Sequence, residues 1–369
     1  MKVVIAAAGT GGHINPGIAI ANKIMNEEPD SEIIFIGTKR GLENDLVPRA
    51  GYELKTIESY GISRSLTISN FKRLFKTLHS ISVAKNILKE FKPDLVIGTG
   101  GYICISVCEA AYKLKIPFMI HESNVLPGVA TKLLAKKAKK ILVGFPESKD
   151  KLSKNATVVA TGTPTKVTKL NFSKTEIENK KSELGLSKKE ALVLVFGGSQ
   201  GAESINNSMI EIIENNLNKD YQIVWAAGPK QYDIVKEKLS ENHINIDKLD
   251  KIKVMPYIYN MDEMLNISDL VVCRSGAMTV TEIEKVGKPA IFIPYPYAAE
   301  NHQEYNARVI EKAGAGKVIL DKDLNSKILN KEISKMVSDF EKLEKMGKNS
   351  NKLSIDNVED RIYTEITKG

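Results

Sequence analysis

Residues 6–17, "AAAGTGGHINPG", set four glycines and a histidine directly behind the apolar opening run "KVVIA". Glycine lets a backbone turn tightly and aim its N–H groups at one point, an arrangement that suits an anion. "IGTGGY" at 97–102 and "FGGSQGA" at 196–202 repeat the device, each behind a strand-like run and ahead of a helical one. Unpaired N–H groups and the positive end of a helix dipole therefore converge at three equivalent places. A dinucleotide fingerprint fits poorly, because Ile14 takes the third glycine position and "EIIFIG" runs into Thr38-Lys39-Arg40 instead of a carboxylate. No corner reads G-x-x-x-x-G-K-[ST], so P-loop hydrolysis has no support.

The polar residues beside these corners define candidate chemistry. His13 is placed to act as a general base, since a neutral imidazole accepts a proton near physiological pH. "HESN" at 121–124 ends another strand, where Glu122 serves either as a base or as the orienter of a neighbour. "CRSGAMTVTE" puts Ser275-Gly276 ahead of a helix bearing Thr279 and Glu282. Glu282 can accept both hydroxyls of a ribose while the backbone at Ala277 and Met278 meets the adjoining sugar or base; the competing reading has Ser275 capping the helix and Glu282 solvated. "PYPYAAENHQEYNA" is a proline-fixed loop whose Asn301, His302 and Gln303 can hydrogen-bond a polyol. Asp321-Lys322-Asp323 is a D-x-D without a second metal-binding feature, and is read as the cap of the next helix. No metal and no cofactor is expected.

Composition sets the bounds. The chain has 369 residues, 42% hydrophobic and 27% charged, a length that favours two domains of a folded, soluble protein. No signal peptide or spanning run is apparent, and Cys104, Cys108 and Cys273 are odd in number, so thiols in a reducing, cytoplasmic compartment are expected. The net charge of +8 is uneven: residues 1–160 hold 23 Lys and Arg against 14 Asp and Glu. That asymmetry suggests a polyanionic partner, whether nucleic acid, an anionic membrane or a phosphorylated substrate; lysine-rich solvated helix faces are the plainer alternative. "NFKRLFKTLHS" at 70–80 places Phe71, Leu74, Phe75 and Leu78 on one helical face flanked by Lys72, Arg73 and Lys76. A core-facing helix is the usual meaning of such a stripe, but the basic flank favours an anionic membrane surface.

These residues are carried by short apolar strands alternating with helices, the pattern of a doubly wound parallel sheet. The pattern runs from "KVVIAAA", with a helix from about Pro16 to Glu28, to "KILVGF", breaks at the lysine-rich stretch 163–190, and restarts at "ALVLVFGGSQGA". Two Rossmann-like α/β domains are predicted, 1–162 and 163–345, with a tail helix over 346–369 free to pack on either. Ligands are expected where strand C-termini face a shared cleft.

The motifs "GTGGHINPG", "GTGGY", "HESNVLPGVATKLLAKKAKK", "TGTP", "GGSQGA", "DLVVCRSGAMTVTE" and "HQEYNARVIEKAGAG" occur in the order found in bacterial MurG-type N-acetylglucosaminyltransferases, which the chain resembles over almost its whole length. The resemblance implies a GT-B fold and inverting transfer of N-acetylglucosamine from UDP-N-acetylglucosamine to the 4-hydroxyl of undecaprenyl-diphosphate-linked N-acetylmuramyl-pentapeptide. It implies a peripheral protein on the cytoplasmic face of the membrane, with no nucleic-acid partner and with other cell-wall synthesis enzymes as neighbours. It assigns donor contacts to Thr10, Gly11, Gly12, Asn124, Ser199, Ile258, Glu282 and Gln303, with Ile258 at the uracil, Ser199 at the diphosphate, Glu282 at the ribose and Gln303 at the transferred sugar. Lys166 stands where the family usually has arginine, keeping the charge without the bidentate fork; His302 and Ser123 each replace a frequent glutamine. A UDP-N-acetylglucosamine 2-epimerase shares the double-Rossmann plan and the donor, and a non-catalytic nucleotide-sugar scaffold is the other rival.

Overall fold

The computed structural model describes residues 1–58 and 68–368, with only the backbone described for 68–78. Contacts divide the chain into a unit of Met1–Thr165 with Ile355–Gly369 and a unit of Lys166–Ser354.

The first unit runs β1 (Lys2–Ala7), α1 (Gly11–Glu27), β2 (Glu32–Gly37), α2 (Glu43–Arg49), β3 (Glu53–Thr56), α3 (Ile68–Phe91), β4 (Leu95–Gly100), α4 (Ile103–Lys113), β5 (Phe118–Glu122), α5 (Val129–Leu134), β6 (Lys140–Val143) and β7 (Val158–Ala160). Its strands are all parallel, in the order β3-β2-β1-β4-β5-β6-β7. The strands of such a sheet are covered on both faces, which is why β1, β2 and β4 read as unbroken apolar runs. Val4, Ile34 and Val96 pack on one face with α4, while Ile5, Phe35 and Ile97 pack on the other with Ile14, Ile18 and Ala21 of α1. The order reverses between β1 and β4, the switch point at which an open α/β sheet leaves a crevice beyond its strand ends.

The second unit repeats this plan with α6 (Lys174–Glu183), β8 (Ala191–Phe196), α7 (Glu203–Glu214), β9 (Tyr221–Ala226), α8 (Tyr232–Glu241), β10 (Ile252–Met255), α9 (Met261–Ile267), β11 (Leu270–Cys273), α10 (Ala277–Val286), β12 (Ala290–Phe292), α11 (His302–Lys312), β13 (Gly316–Val318), α12 (Ser326–Val337) and α13 (Phe340–Leu353). Its parallel order, β10-β9-β8-β11-β12-β13, switches between β8 and β11. Trp225 and Tyr221 of β9 are wholly buried in its core.

Three sequence expectations shift. Helix α1 begins at Gly11, not near Pro16, so His13 stands in its first turn; the glycines read as loop and Pro16 as the helix start, yet Pro16 lies buried inside the helix. The predicted tail helix is two elements: α13 packs on α10 in the second unit, whereas α14 (Val358–Thr367) packs on α1 in the first. Ile362 and Ile366 bury its apolar stripe, and Lys140 binds Glu365 at 2.9 Å. Gly162 (φ +86°) leaves the room α14 needs, since a Cβ there would lie 2.7 Å from Val358. Finally, Asn325, not the D-x-D, caps α12, accepting the N–H of Ile328 at 2.9 Å.

Candidate active site

The first unit gathers its candidate residues at the β1/β4 switch. Thr10, exposed and extended, precedes α1 and makes no side-chain cap, while Gly11 and Gly12 open the helix. The N–H of His13 turns back to the carbonyl of Thr10 at 3.0 Å, so the donors this helix start presents at the corner are the N–H groups of Gly11 and Gly12, which lie too early in the helix for an i−4 acceptor. His13 is oriented within it. Its Nδ1 lies 3.0 Å from the carbonyl of Ala8, and Thr99 Oγ1 donates to the carbonyl of His13 at 2.8 Å. In the neutral ring Nδ1–H donates to Ala8, which leaves Nε2 as the lone-pair nitrogen, the tautomer a base requires. The ring lies across Gly100 (φ +137°), where a Cβ would sit 2.2 Å from His13 Cδ2. The second glycine corner thus makes space for the histidine of the first.

Sequence reasoning missed Glu43, which holds this corner from below. Wholly buried at the start of α2, it accepts the N–H of Gly9 at 2.9 Å on Oε2, and on Oε1 the N–H of Thr38 at 2.9 Å and its hydroxyl at 2.6 Å. Burial pushes its carboxyl up, but these donors outweigh burial and hold it below the ordinary range. The sequence offers one signal in hindsight: Gly37 and Gly41 flank the site, and a Cβ at either would strike Glu43.

Glu122 is as fully engaged. Oε1 accepts the backbone N–H and side-chain amide of Asn124 at 3.0 and 3.2 Å, and Oε2 accepts Gly128 N–H at 2.9 Å and Thr131 Oγ1 at 2.7 Å. Four donors occupy both carboxylate oxygens, and the side chain thereby ties Asn124 to the start of α5, the geometry of an orienter. His121, buried, lies with Nε2 3.0 Å from the carbonyl of Gly162, and burial keeps its pKa below the usual value.

In the second unit, the corner behind β8 rests on a backbone approach. A Cβ at Gly201 (φ +81°) would lie 2.2 Å from the carbonyl of Ala227, and one at Gly228 would lie 2.5 Å from Gly201. This pairing puts exposed Ser199 ahead of α7. Beyond β11, Ser275 does not cap α10, as the competing reading had it; Gly276 takes that place, and Ala277, Met278 and Thr279 form the first turn. Ser275 instead binds Gln303: its Oγ donates to the Gln303 carbonyl at 2.8 Å, and its N–H donates to Gln303 Oε1 at 3.2 Å. Tyr295 N–H donates to the same oxygen at 3.0 Å. The amide oxygen is therefore occupied by the fold, which leaves the NH2 as the end of the Gln303 amide with hydrogen bonds still to give. Glu300 and Asn301 before α11 both take positive φ, 49° and 59°, a costly conformation for residues with a Cβ and one that marks the 294–303 loop as shaped. His302 opens α11. Glu282, partly exposed, lies one turn beyond Met278 on α10. Lys166 is exposed at the start of the unit. Ile258 is 3% exposed, so its side chain is core and any base contact there falls to its backbone.

Asp321 of the D-x-D accepts Arg274 Nη1 at 2.5 Å and Ser204 Oγ at 2.6 Å, with Arg274 Nη2 also donating to Ser204 at 2.9 Å. Among the described residues no group of three or more His, Cys, Asp or Glu side chains is placed to share a metal ion. The three cysteines are free and buried, and burial pushes the Cys104 thiol up to about 12, which makes these thiols inert.

Two doubly wound parallel sheets with helix-backed glycine corners at their switch points define the GT-B glycosyltransferase fold. Models of the glycosyltransferase family 28 N-terminal and C-terminal domains match residues 3–143 and 192–362. The chain is 43% identical over 369 residues to the UDP-N-acetylglucosamine--N-acetylmuramyl-(pentapeptide) pyrophosphoryl-undecaprenol N-acetylglucosamine transferase of Acetivibrio thermocellus, covering 100% of this chain and 98% of that one. Among solved structures, Acinetobacter baumannii MurG superposes with a TM-score of 0.79 at 26% identity, covering 100% of this chain and 99% of that one. The UDP-GlcNAc 2-epimerase of Neisseria meningitidis, with a TM-score of 0.66 at 15% identity and full coverage of both chains, shares the fold alone. The chain belongs to glycosyltransferase family 28, in its MurG branch.

Proposed function

We propose that the chain transfers N-acetylglucosamine from UDP-N-acetylglucosamine to the 4-hydroxyl of undecaprenyl-diphosphate-linked N-acetylmuramyl-pentapeptide, inverting the anomeric centre, at the cytoplasmic face of the membrane. The observation that carries this reading is the full-length 43% identity to a transferase of that name. His13 takes the proton of the attacking hydroxyl at Nε2, its ring held by Ala8 and Gly100. Glu282 accepts the ribose hydroxyls, the N-termini of α7 and α10 with Ser199 and Lys166 take charge developing on the departing diphosphate, and the Gln303 amide donates to the transferred sugar. Thr10, Gly11 and Gly12 offer donors to the sugar and the acceptor diphosphate, while Glu122 holds Asn124 in position. The membrane contact rests on the basic, apolar stretch 70–80. Phe71, Lys72, Arg73, Leu74, Phe75, Lys76 and Leu78 lie outside the residues whose side chains are described; among the described residues no helix is long and apolar enough to cross a membrane.

Incubation with labelled donor, with and without the lipid acceptor, tests the reading. Transfer that requires the acceptor is expected. Acceptor-free epimerisation, or binding without turnover, would overturn it in favour of an epimerase or a scaffold.

A further inference from the structure

The second unit carries a pocket of about 540 Å³ far from its glycine corner, walled by Lys169, Lys288, Pro289, Phe340, Lys348 and Asn351. Ser268-Asp269 and Lys288-Pro289, also in its wall, directly precede β11 and β12, so the pocket lies at the N-terminal ends of those strands. Ser275 and the 294–303 loop follow their C-terminal ends.

Three lysines and three carboxylates line this wall, but they are not paired one to one. Asp269 is taken by Lys181 at 2.7 Å and by the N–H of Leu192 at 2.7 Å. Glu344 pairs with Lys348 at 2.5 Å, and Glu341, exposed, is the remaining carboxylate of the lining. Among the described residues, Lys288 donates only to backbone oxygens, the carbonyls of Asn266 and Ser268 at 2.7 Å each. Lys169 donates to the amide oxygen of Asn351 at 3.0 Å. Two ammonium groups on neutral oxygens thus share one pocket. Burial pushes the Lys288 amine down to about 8; Asp269 opposes this, while Lys181 and Lys169 add to it. An anion seated there would relieve both the desolvation and the repulsion. Phe340, 58% exposed, and Pro289 supply an apolar side to the same space.

We propose that this pocket is a second ligand site, one that takes a small soluble phosphate ester through Lys169 and Lys288 with the ester's organic part against Phe340 and Pro289. It is separate from the transfer reaction and does not depend on it.

Pyridoxal 5′-phosphate is the probe. Held by Lys169 through its phosphate, it presents its aldehyde to the neutral fraction of the Lys288 amine, which condenses with it, releasing water to give an imine; borohydride then delivers hydride to the imine carbon, and a proton from solvent completes a stable secondary amine that peptide mapping locates. At about pH 7.5, Lys288 should be labelled ~10-fold faster than the average surface lysine, because a larger share of its amine is neutral. Inorganic phosphate should protect it. Lys169→Gln, which alters an exposed side chain, should lower labelling several-fold with an unchanged melting temperature. Labelling spread over surface lysines would overturn the proposal, as would labelling of Lys288 that ignores both phosphate and Lys169→Gln. Protection by phosphatidylglycerol vesicles without protection by inorganic phosphate would overturn the assignment to a soluble ligand.

Discussion

The carboxylate of Glu43 accepts the backbone N–H of Gly9 at 2.9 Å, joining the first turn of α2 to the corner that carries Thr10 and His13. Its other oxygen takes both donors of Thr38, so one buried side chain fixes the loops behind β1 and β2 together. Glu43→Ala strands the N–H groups of Gly9 and Thr38, each worth about 1–3 kcal/mol when left unsatisfied. The variant should be measurably less stable in urea and should lose turnover as the corner loosens. The folded carboxyl lies below its ordinary range, so its contribution is present above the unfolded pKa of about 4.3 and is lost as pH falls through the folded value. The stability difference between wild type and Glu43→Ala should therefore shrink under strongly acidic conditions; a difference that stays constant with pH would refute the assignment.

His13 and Gly100 form a pair that two substitutions can separate. Gly100→Ala puts a methyl group 2.2 Å from the imidazole and must displace the ring. His13→Ala should cut kcat by about 10²–10⁴-fold with little change in donor affinity, as the loss of a base does. Gly100→Ala should lower kcat in the same sense, and adding it to His13→Ala should cost little more. Additive losses in the double variant would mean that Gly100 does not act through the histidine.

Much of this architecture is legible before any coordinates. Covered parallel strands read as unbroken apolar runs, so β1, β4, β8 and β11 with their glycine corners stand out in one dimension. What stays hidden depends on pairing at a distance. Glu43 looks like any helix-opening acid until β2 brings Gly9 beside it, thirty-four residues away. The close approach of Gly201 and Gly228 joins two strands' ends, and Gly162 reveals its purpose only when α14 returns across the first unit. Pro16 misplaced the start of α1 because local propensity outweighed the packing of Ile14, Ile18 and Ala21.

Gln303 allows its structural and binding ends to be told apart. Its Oε1 holds Ser275 and Tyr295, and its NH2 faces no described acceptor. Gln303→Glu keeps an acceptor for both N–H groups but removes the donor, so the fold should survive while kcat/KM falls about ten- to hundred-fold. Gln303→Ala should lose both activity and stability. If Gln303→Glu were fully active, the sugar contact would have to be reassigned.

Asp321 bears on the D-x-D. Its carboxylate is committed to Arg274 and Ser204, so Asp321→Asn should lower the melting temperature without creating or removing a metal requirement. Transfer should largely persist in EDTA. Loss of activity in chelator with recovery on added Mg²⁺ or Mn²⁺ would count against leaving-group stabilisation by helix N-termini.

The stretch 70–80 is the place to test how the chain reaches a lipid-borne acceptor. Phe71, Leu74, Phe75 and Leu78 have the i, i+3, i+4, i+7 spacing of one helical face, with Lys72, Arg73 and Lys76 between them in sequence, in a front half that carries 23 basic against 14 acidic residues. Aromatic rings at a bilayer interface, with each neighbouring cation adding about 1 kcal/mol near anionic headgroups, would give reversible, salt-sensitive adhesion. The protein should sediment with phosphatidylglycerol vesicles in preference to phosphatidylcholine vesicles and leave them as salt rises. Replacing Phe71 and Phe75 with Ser should weaken sedimentation while the melting temperature holds, because side chains that face lipid contribute little to the core. A double variant that unfolds, or a wild type indifferent to vesicle charge, would assign this face to the core of the first unit and remove it from the membrane.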